Sequence, residues 1–480
     1  MRRGMWVAVA ALALVAGACG SSKKTDSGAA TTKAAGTTAA AAPTTAGAAT
    51  TAGAATTAGA ATTAGAATTA AATGGSKAAT AGPGCGLQNG QKASGNPIKL
   101  GNVTTSIPGI DFSTGTAMMK GYFDCVNDNG GINGRPVQML SENDNAKPED
   151  GAAAAKKLIE TDKVVAMVGG FSVLDCPVNA DYYKSKGYNV IVAGVPAQCF
   201  NSPAIAAANM GPGYSALGAA QIVVDDKGAK GNMITLTGKL AGAEYNDSLA
   251  GAYAQKKGLK WTDIQVELPI ADPTSVILDA VNKAGQGGAV VLNFTPPEGL
   301  KLLKAAEEQG LIDKVVWGSS TPLNDSSVAA ALGAKWKGKI NINAELSLLD
   351  DPNPEMELHR KVSAQYNKSA PLGSFQQMGF MIGRIIVKTL LDMDKTKLDD
   401  PVAVNAAIKG IKNFNTGIVC KPWYFGGLPK GNVPNNVDNN VVPDGVGKMV
   451  SDKLCFPIAE VEPILTEARK AEVDQKLNVG

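Results

Sequence analysis

The stretch Gly130-Gly131-Ile132-Asn133-Gly134-Arg135-Pro136 separates two segments with different patterns. Before it, apolar residues recur with helical spacing over 116–129, and after it 136–141 is a short run that suits a β-strand. A glycine-rich turn between a helix and a strand is typical of a repeated βα unit. The stretch therefore indicates an α/β fold with parallel strands.

The same alternation extends in both directions from this turn. It predicts a first set of strands at 98–103, 136–141, 164–168 and 189–193, with helices at 116–129, 149–161 and 177–186. It predicts a second set of strands at 233–236, 264–267, 288–293, 314–318 and 340–343, with helices at 244–257, 275–284 and 298–309. Helices at 354–367 and 375–391 are expected to return to the first set, and 429–447 is expected to form a long loop or hairpin.

The length of this part of the chain favours two lobes. Residues 85–480 exceed the size at which a single core usually stops growing. We expect lobe 1 to contain 85–229 and 346–418, and lobe 2 to contain 230–345 and 419–480. In such sheets ligands bind at the carboxyl ends of the strands, so the loops at 169–176 and 194–199 are candidate binding loops.

Further motifs follow the opening stretch in a fixed order. They are Glu142-Asn143-Asp144, Asp162-Lys163-Val164, Val168-Gly169-Gly170, Asp272-Pro273-Thr274-Ser275 and Asn293-Phe294-Thr295-Pro296-Pro297-Glu298. As an ordered series they resemble the branched-chain amino acid binding protein family of bacterial ABC importers, over nearly all of residues 96–425.

The resemblance implies the type I periplasmic-binding-protein fold, in which two doubly wound parallel-sheet lobes are joined by three crossovers and close on a small molecule. We expect the crossovers near 228–231, 345–350 and 416–420. It also implies a monomer that acts by binding, without catalysis or a cofactor, and that docks on an ABC permease in the cytoplasmic membrane. A ligand sensor or signalling partner with the same two-lobe fold is the alternative.

The resemblance also assigns ligand contacts, position by position. The matching positions are Phe112, Ser172, Val173, Gly194, Val195, Pro196, Tyr245, Thr295, Ser320 and Phe375. For Tyr245 and Phe375, plain core packing is the alternative role.

Several of these positions lack the family's polar groups. The carboxylate that pairs with the ligand ammonium falls on Ser320, and two ligand-binding hydroxyls fall on Val173 and Pro196. Burying an ammonium without its carboxylate costs several kcal/mol. The substitutions favour a ligand without a free α-ammonium, such as an amide, a small organic acid or an aromatic compound, and an amino acid is the alternative.

Composition excludes other classes of function. The chain has 480 residues and one histidine, His359, which we expect on an exposed helix face. One histidine cannot supply a metal cluster, and a Ser-His-Asp or Cys-His pair would depend on it alone, so we expect neither a metal site nor hydrolytic chemistry. Residues 85–480 contain 39 Lys+Arg and 41 Asp+Glu, so no basic excess indicates nucleic-acid binding.

A glycine motif lies near the middle of the chain. Residues 211–216, Gly-Pro-Gly-Tyr-Ser-Ala, fit the dinucleotide pattern G-x-G-x-x-A. We predict no strand before it, and the embedded Pro212 favours a turn. Nucleotide binding is therefore not expected.

The N-terminal residues indicate export. A basic Arg2-Arg3 pair and a 13-residue apolar run precede Ala16-Gly17-Ala18-Cys19, so 1–19 is predicted to be a signal peptide. The last four residues resemble a bacterial lipobox with lipidation at Cys19, and ordinary cleavage after Ala18 is the alternative. Residues 20–84 are rich in Thr, Ala and Gly and are predicted to form a disordered tether to the outer face of the cytoplasmic membrane.

Lipidation of Cys19 leaves six cysteines, an even number in an oxidising compartment. We expect Cys176 to pair with Cys199, because both follow adjacent strands at one sheet edge, and Cys420 with Cys455. Cys85 and Cys125 then remain. Six cysteines allow 15 connectivities, so the pairing is a preference among several.

Overall fold

The computed structural model describes residues 79–80, 84–240 and 243–478, which belong to one compact unit, Thr73–Gly480. The predicted signal peptide, Cys19 and nearly all of the predicted tether lie outside the described residues. Strands of the two large sheets and the α-helices are numbered below in chain order.

The first sheet has five parallel strands in the order β2-β1-β3-β4-β5. The strands are β1 (Ile98–Thr104), β2 (Val137–Asn143), β3 (Ala166–Gly170), β4 (Val190–Val192) and β5 (Ile205–Ala207). Its helices are α1 (Ser113–Asp128), α2 (Pro148–Lys156, continued by a π-helical turn at Lys157–Thr161) and α3 (Asp175–Lys186). All five residues of the central strand β3 are buried, because α1 and α2 cover opposite faces of this sheet.

The second sheet has seven strands in the order β7-β6-β8-β9-β10-β11-β12. The strands are β6 (Asn232–Gly238), β7 (Lys260–Val266), β8 (Ala289–Asn293), β9 (Val316–Ser319), β10 (Ile340–Ala344), β11 (Val437–Pro443) and β12 (Met449–Pro457). The first five are parallel, and the hairpin β11–β12 extends the sheet in the antiparallel direction. The segment predicted as a loop or hairpin therefore begins a strand pair of lobe 2.

The helices of the second half of the chain pack on both sheets. They are α4 (Gly211–Gln221, continued by a π-helical turn at Ile222–Asp226), α5 (Glu244–Lys256), α6 (Pro273–Ala284), α7 (Pro296–Glu308), α8 (Ser326–Ala331), α9 (Pro354–Tyr366), α10 (Ser374–Asp392), α11 (Pro401–Lys409) and α12 (Pro463–Asp474). Helices α5 and α6 cover opposite faces of the second sheet, whereas α9 and α10 return to pack on α1.

Three of these helices begin with the same two-residue signal. Asp272, Asn353 and Asp400 each accept a backbone N–H of the first turn and are followed directly by proline. An acceptor side chain at the N-cap satisfies a free N–H, and proline at the next position has none to satisfy. These signals explain why α6, α9 and α11 start where they do.

The chain passes between the two sheets three times: between β5 and β6, between β10 and α9, and between α11 and β11. Helix α4 already packs against α5 and β10 of the second sheet, although it precedes the expected first crossover at 228–231. The architecture is that of two doubly wound α/β lobes with a cleft between them.

Two local predictions were wrong. The glycine motif at 211–216 is preceded by the short strand β5 and forms the start of α4, where Pro212 occupies the first turn. His359 is fully buried, because α9 packs its side chain against Phe380 of α10, with the ring centroids 5.3 Å apart.

Candidate functional site

A cavity lies between the lobes at the carboxyl ends of both sheets, and we call it the main cavity. It encloses about 720 Å³ of empty space, including its open mouth. In a parallel sheet whose first strand lies between the second and the third, successive loops diverge to opposite faces and leave a crevice. Both sheets have this order, as β2-β1-β3 and as β7-β6-β8. The cavity is therefore where the topology predicts a ligand site.

Lobe 1 supplies mostly apolar walls. A two-residue hairpin, Ser106–Ile107 with Ile110–Asp111, follows β1 and places Phe112 against Phe375 at the start of α10. The two rings meet edge to face with centroids 5.2 Å apart. The lobe 1 residues that line the cavity are Gly109, Ile110, Phe112, Val173, Gly194, Val195, Asn209, Phe375 and Met378.

The remaining wall comes from the loops of the second sheet and from the start of α4. Its members are Gly211, Pro212, Ser215, Thr237, Gly238, Leu240, Asn246, Leu268, Asn293, Phe294, Thr295, Thr321, Pro322 and Glu345. Among the described residues that line the main cavity, none is Lys, Arg or His. A charged ligand group would meet only neutral side chains and one carboxyl group.

That carboxyl group belongs to Glu345, which directly follows β10 and is buried. The backbone N–H of Met210 donates a hydrogen bond to its Oε2. Burial raises the pKa of the Glu345 carboxyl to about 8, against the opposing effect of hydrogen bonds from Met210, Gly211 and Thr321. At pH 7 the carboxyl is therefore mostly protonated and able to donate a hydrogen bond.

A polar network supports this side of the cavity. Ser215 Oγ lies 2.8 Å from Thr321 Oγ1 and donates to Asn343 Oδ1 at 2.9 Å. Thr321 Oγ1 also donates to Asn343 Oδ1 at 3.0 Å. These bonds fix the start of α4 relative to β9 and β10, so the polar groups beside Glu345 are held in place.

Six of the ten predicted contact positions line the main cavity. They are Phe112, Val173, Gly194, Val195, Thr295 and Phe375. The backbone N–H groups of two of them are already used: Val173 donates to Thr105 Oγ1 at 3.0 Å, and Gly194 donates to Asn209 Oδ1 at 2.6 Å. These amides are not free to hold a ligand carboxylate in this conformation.

The other four positions lie outside the cavity wall. Ser172 Oγ donates to Asp144 and accepts the N–H groups of Leu174 and Asp175, so it organises the start of α3. Pro196 precedes the 3-10 turn Ala197–Cys199.

Tyr245 and Ser320 are engaged elsewhere as well. The hydroxyl of Tyr245 donates to Glu462 Oε1 at 3.3 Å. Ser320 is fully buried, and its Oγ donates to Asn293 Oδ1 at 2.7 Å. Although Ser320 carries no carboxyl group, the main cavity has one, that of Glu345 after the next strand.

Sequence reasoning missed Glu345 and the start of α4 as parts of the cavity wall. The signal for Glu345 was its place immediately after a predicted strand, where side chains reach the ligand edge of the sheet. The signal for α4 was Pro212 after a glycine, since proline is common in the first turn of a helix.

Three disulfides join Cys85 to Cys125, Cys176 to Cys199 and Cys420 to Cys455, which is the pairing preferred from the sequence. The second joins the start of α3 to the turn after β4, and thereby connects the loops that carry Val173 and Gly194.

Two kinds of feature are absent from the described residues. Within 84–240 and 243–478, no group of three or more His, Cys, Asp or Glu side chains could hold a metal ion. No helix in the described part of the chain is long and apolar enough to cross a membrane.

Two three-layer α/β lobes with a cavity between their carboxyl edges define a two-lobe solute-binding protein. The chain belongs to the periplasmic binding protein family, whose family model matches residues 97–436. Members of this family bind solutes outside the cytoplasm. No curated protein sequence matches the chain.

Solved structures share the fold at low sequence identity. A branched-chain amino acid ABC transporter protein from Thermus thermophilus with bound valine aligns with a TM-score of 0.66 and 13% identity, over 79% of this chain and 100% of that one. A fatty acid ABC transporter substrate-binding protein from Thermomonospora curvata gives 0.64 and 17%, over 79% and 96%. An ABC transporter solute-binding protein from R. palustris in complex with benzoate gives 0.60 and 17%, over 76% and 98%.

Proposed function

We propose that this protein is the solute-binding lipoprotein of an ABC importer. It captures a small, largely apolar molecule by closure of its lobes and delivers it to a permease in the cytoplasmic membrane. The observation that carries the proposal is the main cavity, whose walls come from both lobes, because a ligand that contacts both lobes stabilises the closed form. The protein acts by binding and not by catalysis.

The chemistry of the wall supports a ligand with an uncharged polar group. The wall has no basic residue among those described, and the N–H groups of Val173 and Gly194 are already bonded, so a ligand carboxylate finds little compensation. The protonated carboxyl of Glu345 suits a carbonyl acceptor. An amide with an aliphatic or aromatic body fits best, followed by a small organic acid bound in its protonated form.

An amino acid is the competing ligand class. An ammonium group beside Glu345 would hold that carboxyl in its ionised form and pair with it. The neutral-ligand proposal and the amino-acid alternative therefore differ in the charge state of one side chain.

The N-terminal segment completes the proposal. The predicted signal peptide 1–19, lipidation at Cys19 and the tether 20–84 would place the binding unit on the outer face of the cytoplasmic membrane as an anchored monomer. Metabolic labelling with a palmitate analogue tests the anchor. We expect the parent protein to carry the label and the Cys19→Ala variant to carry none. Label on both proteins would show that Cys19 is not the lipidation site.

A thermal-shift panel on residues 20–480 tests the ligand class. It compares valeramide and benzamide with hexanoate, benzoate, leucine and valine, because a ligand at about 1,000 times its Kd stabilises a protein by roughly 4 kcal/mol. We expect the amides to raise Tm most. If only leucine or valine stabilised the protein, the proposed ligand class would be wrong and the ligand would be an amino acid. The solute-binding function would still stand.

A matched pair of variants locates the effect in the main cavity. Val195→Trp fills the cavity and should abolish the shift, whereas Val402→Trp changes a residue that is 77% exposed on α11 and should keep it. If both variants responded like the parent protein, the ligand would bind elsewhere.

A further inference from the structure

A second cavity opens beside the main cavity, and we call it the side cavity. It encloses about 780 Å³, including its mouth, and shares the lining residues Gly109, Thr295 and Phe375 with the main cavity. Its walls come from the start of α1, the starts of α7 and α8, and the start of α10. The two cavities are thus neighbouring parts of one cleft between the lobes.

The side cavity has a different chemistry from the main one. Three carboxylates line it, those of Asp111, Glu298 and Asp325, and none of its described lining residues is basic. Glu298 is already paired, because Lys301 Nζ lies 2.8 Å from Oε1 and the N–H of Ile270 donates to Oε2. The charge of the wall therefore depends chiefly on Asp111 and Asp325.

Asp325 is the more enclosed of these two carboxylates. Its side chain accepts the N–H of Ser327 at 2.8 Å through Oδ1, as the N-cap of α8. Asp325 is 7% exposed, so little solvent screens the charge of its side chain.

A second and independent observation is Gln376 on α10, which lines the same cavity. The residue is 1% exposed, and neither Oε1 nor Nε2 has a hydrogen-bond partner among the described residues. A buried polar group without a partner costs about 1–3 kcal/mol. A buried amide in the wall of a cavity is therefore a group that a ligand can satisfy.

We propose that the side cavity is a subsite for the amine end of an elongated ligand whose apolar body lies in the main cavity. The ammonium would donate hydrogen bonds to Asp325 and to Oε1 of Gln376, and it would lie beside the ring of Phe375, which borders both cavities. The inference rests on the proposed function for the main cavity. It extends the ligand class to apolar amides or acids that carry a terminal amine.

Isothermal titration calorimetry on residues 20–480 tests the subsite with matched probes. Plain alkyl amides of four to eight carbons are compared with the ω-amino amides of the same lengths. A third arm uses butylamine alone, which carries the amine without the amide. At the best chain length we expect the ω-amino amide to bind about tenfold more tightly than its plain counterpart.

Two variants of the same kind separate the subsite from general effects of charge. Asp325→Asn keeps an N-cap acceptor and removes the charge, so the amine advantage should fall to within about twofold, with plain-amide affinity unchanged. Asp272→Asn makes the same change at the N-cap of α6, outside both cavities, and should leave every affinity unchanged. Gln376→Met should also reduce the amine advantage.

The outcomes distinguish the two proposals. Plain amides that bind without any amine advantage at any length would overturn the subsite and leave the proposed function in place. Butylamine binding that is lost in Asp325→Asn, with no binding of plain amides, would support the subsite and overturn the ligand class. If no probe bound, both the proposed ligand class of the main cavity and the subsite would be wrong.

Discussion

The backbone N–H of Met210 donates a hydrogen bond to the carboxyl group of Glu345, and this contact joins the start of α4 to the end of β10. Both ends lie next to crossovers between the lobes. The carboxyl group also lines the main cavity, so one side chain borders the cavity and joins two segments that lead into crossovers.

Glu345 should make the stability of the protein depend on pH. Burial raises its pKa to about 8 in the folded protein, whereas an ordinary glutamate has a pKa near 4.3 when unfolded. Between these values the folded state binds more protons, so the free energy of unfolding falls as pH rises, by at most about 1.4 kcal/mol per pH unit. We expect Glu345→Gln to flatten this fall, measured by urea unfolding from pH 6 to 9.

Asp438 is a second source of pH dependence. Burial raises the pKa of its carboxyl, and the charge of Glu345 raises it further. Some pH dependence should therefore remain in Glu345→Gln. The control is Glu267→Gln, at a side chain that is 79% exposed, which should keep the parental slope. An equal slope in all three proteins would show that Glu345 is ionised in the fold at neutral pH.

Much of the fold could be predicted from local pattern. The strands at 98–103, 288–293 and 340–343 overlap β1, β8 and β10, because buried parallel strands are short apolar runs between turn residues. Helix α4 could not be predicted in this way. Its glycines and alanines give a weak helical pattern, and its stability comes from packing against α5.

The site shows the limit of alignment by position. Phe112 and Phe375, both predicted to contact the ligand, line the main cavity. The acidic position was assigned to Ser320, whose Oγ donates to Asn293, whereas the carboxyl group in the cavity wall is that of Glu345, after the following strand. A carboxyl group carried by a different loop cannot be found by matching single positions.

His359 should make the protein sensitive to acid. Burial lowers its pKa to about 3, with a further contribution from Arg360, whereas an unfolded histidine has a pKa near 6.5. The unfolded state therefore takes up a proton first, and stability is lost as pH falls below about 6.5, by about 2 kcal/mol at pH 5. The single histidine allows a direct check, because its ring-proton NMR signal should not titrate between pH 7 and 5.

The variant His359→Leu removes two ring nitrogens that lack partners among the described residues. It should be more stable than the parent protein at pH 5, with a smaller difference at pH 8. Titration of the NMR signal near pH 6.5 would show instead that the ring is accessible to solvent.

Gly211 has a backbone conformation that other residues rarely adopt, with φ of +75° at the start of α4. A Cβ there would lie 2.5 Å from Cζ of Phe200, so Gly211→Ala adds a steric clash to backbone strain. We expect a loss of more than about 2 kcal/mol in the free energy of unfolding. Gly228→Ala is the control, because its φ is +69° and no atom lies within 4 Å of the added Cβ. Gly228→Ala should lose only about 1 kcal/mol in the free energy of unfolding. Equal losses in the two variants would mean that backbone strain alone, without the clash, explains both.

The disulfide between Cys176 and Cys199 should stabilise the binding loops as well as the fold. It closes a loop with a sequence separation of 23, and the pair Cys420–Cys455 closes one of 35 outside the cavity wall. By loop-closure entropy, removing either pair with alanines should cost about 3 kcal/mol of unfolding free energy, measured in urea.

The two double variants should differ in where the chain opens. Val173 and Gly194 lie on the loops joined by Cys176 and Cys199, so loss of this bridge frees both loops at the main cavity. Hydrogen exchange followed by mass spectrometry should rise at residues 171–176 and 193–199 in that variant and stay parental there when Cys420 and Cys455 are replaced. Faster exchange of these segments in both variants would mean that global stability, and not the local bridge, holds the loops.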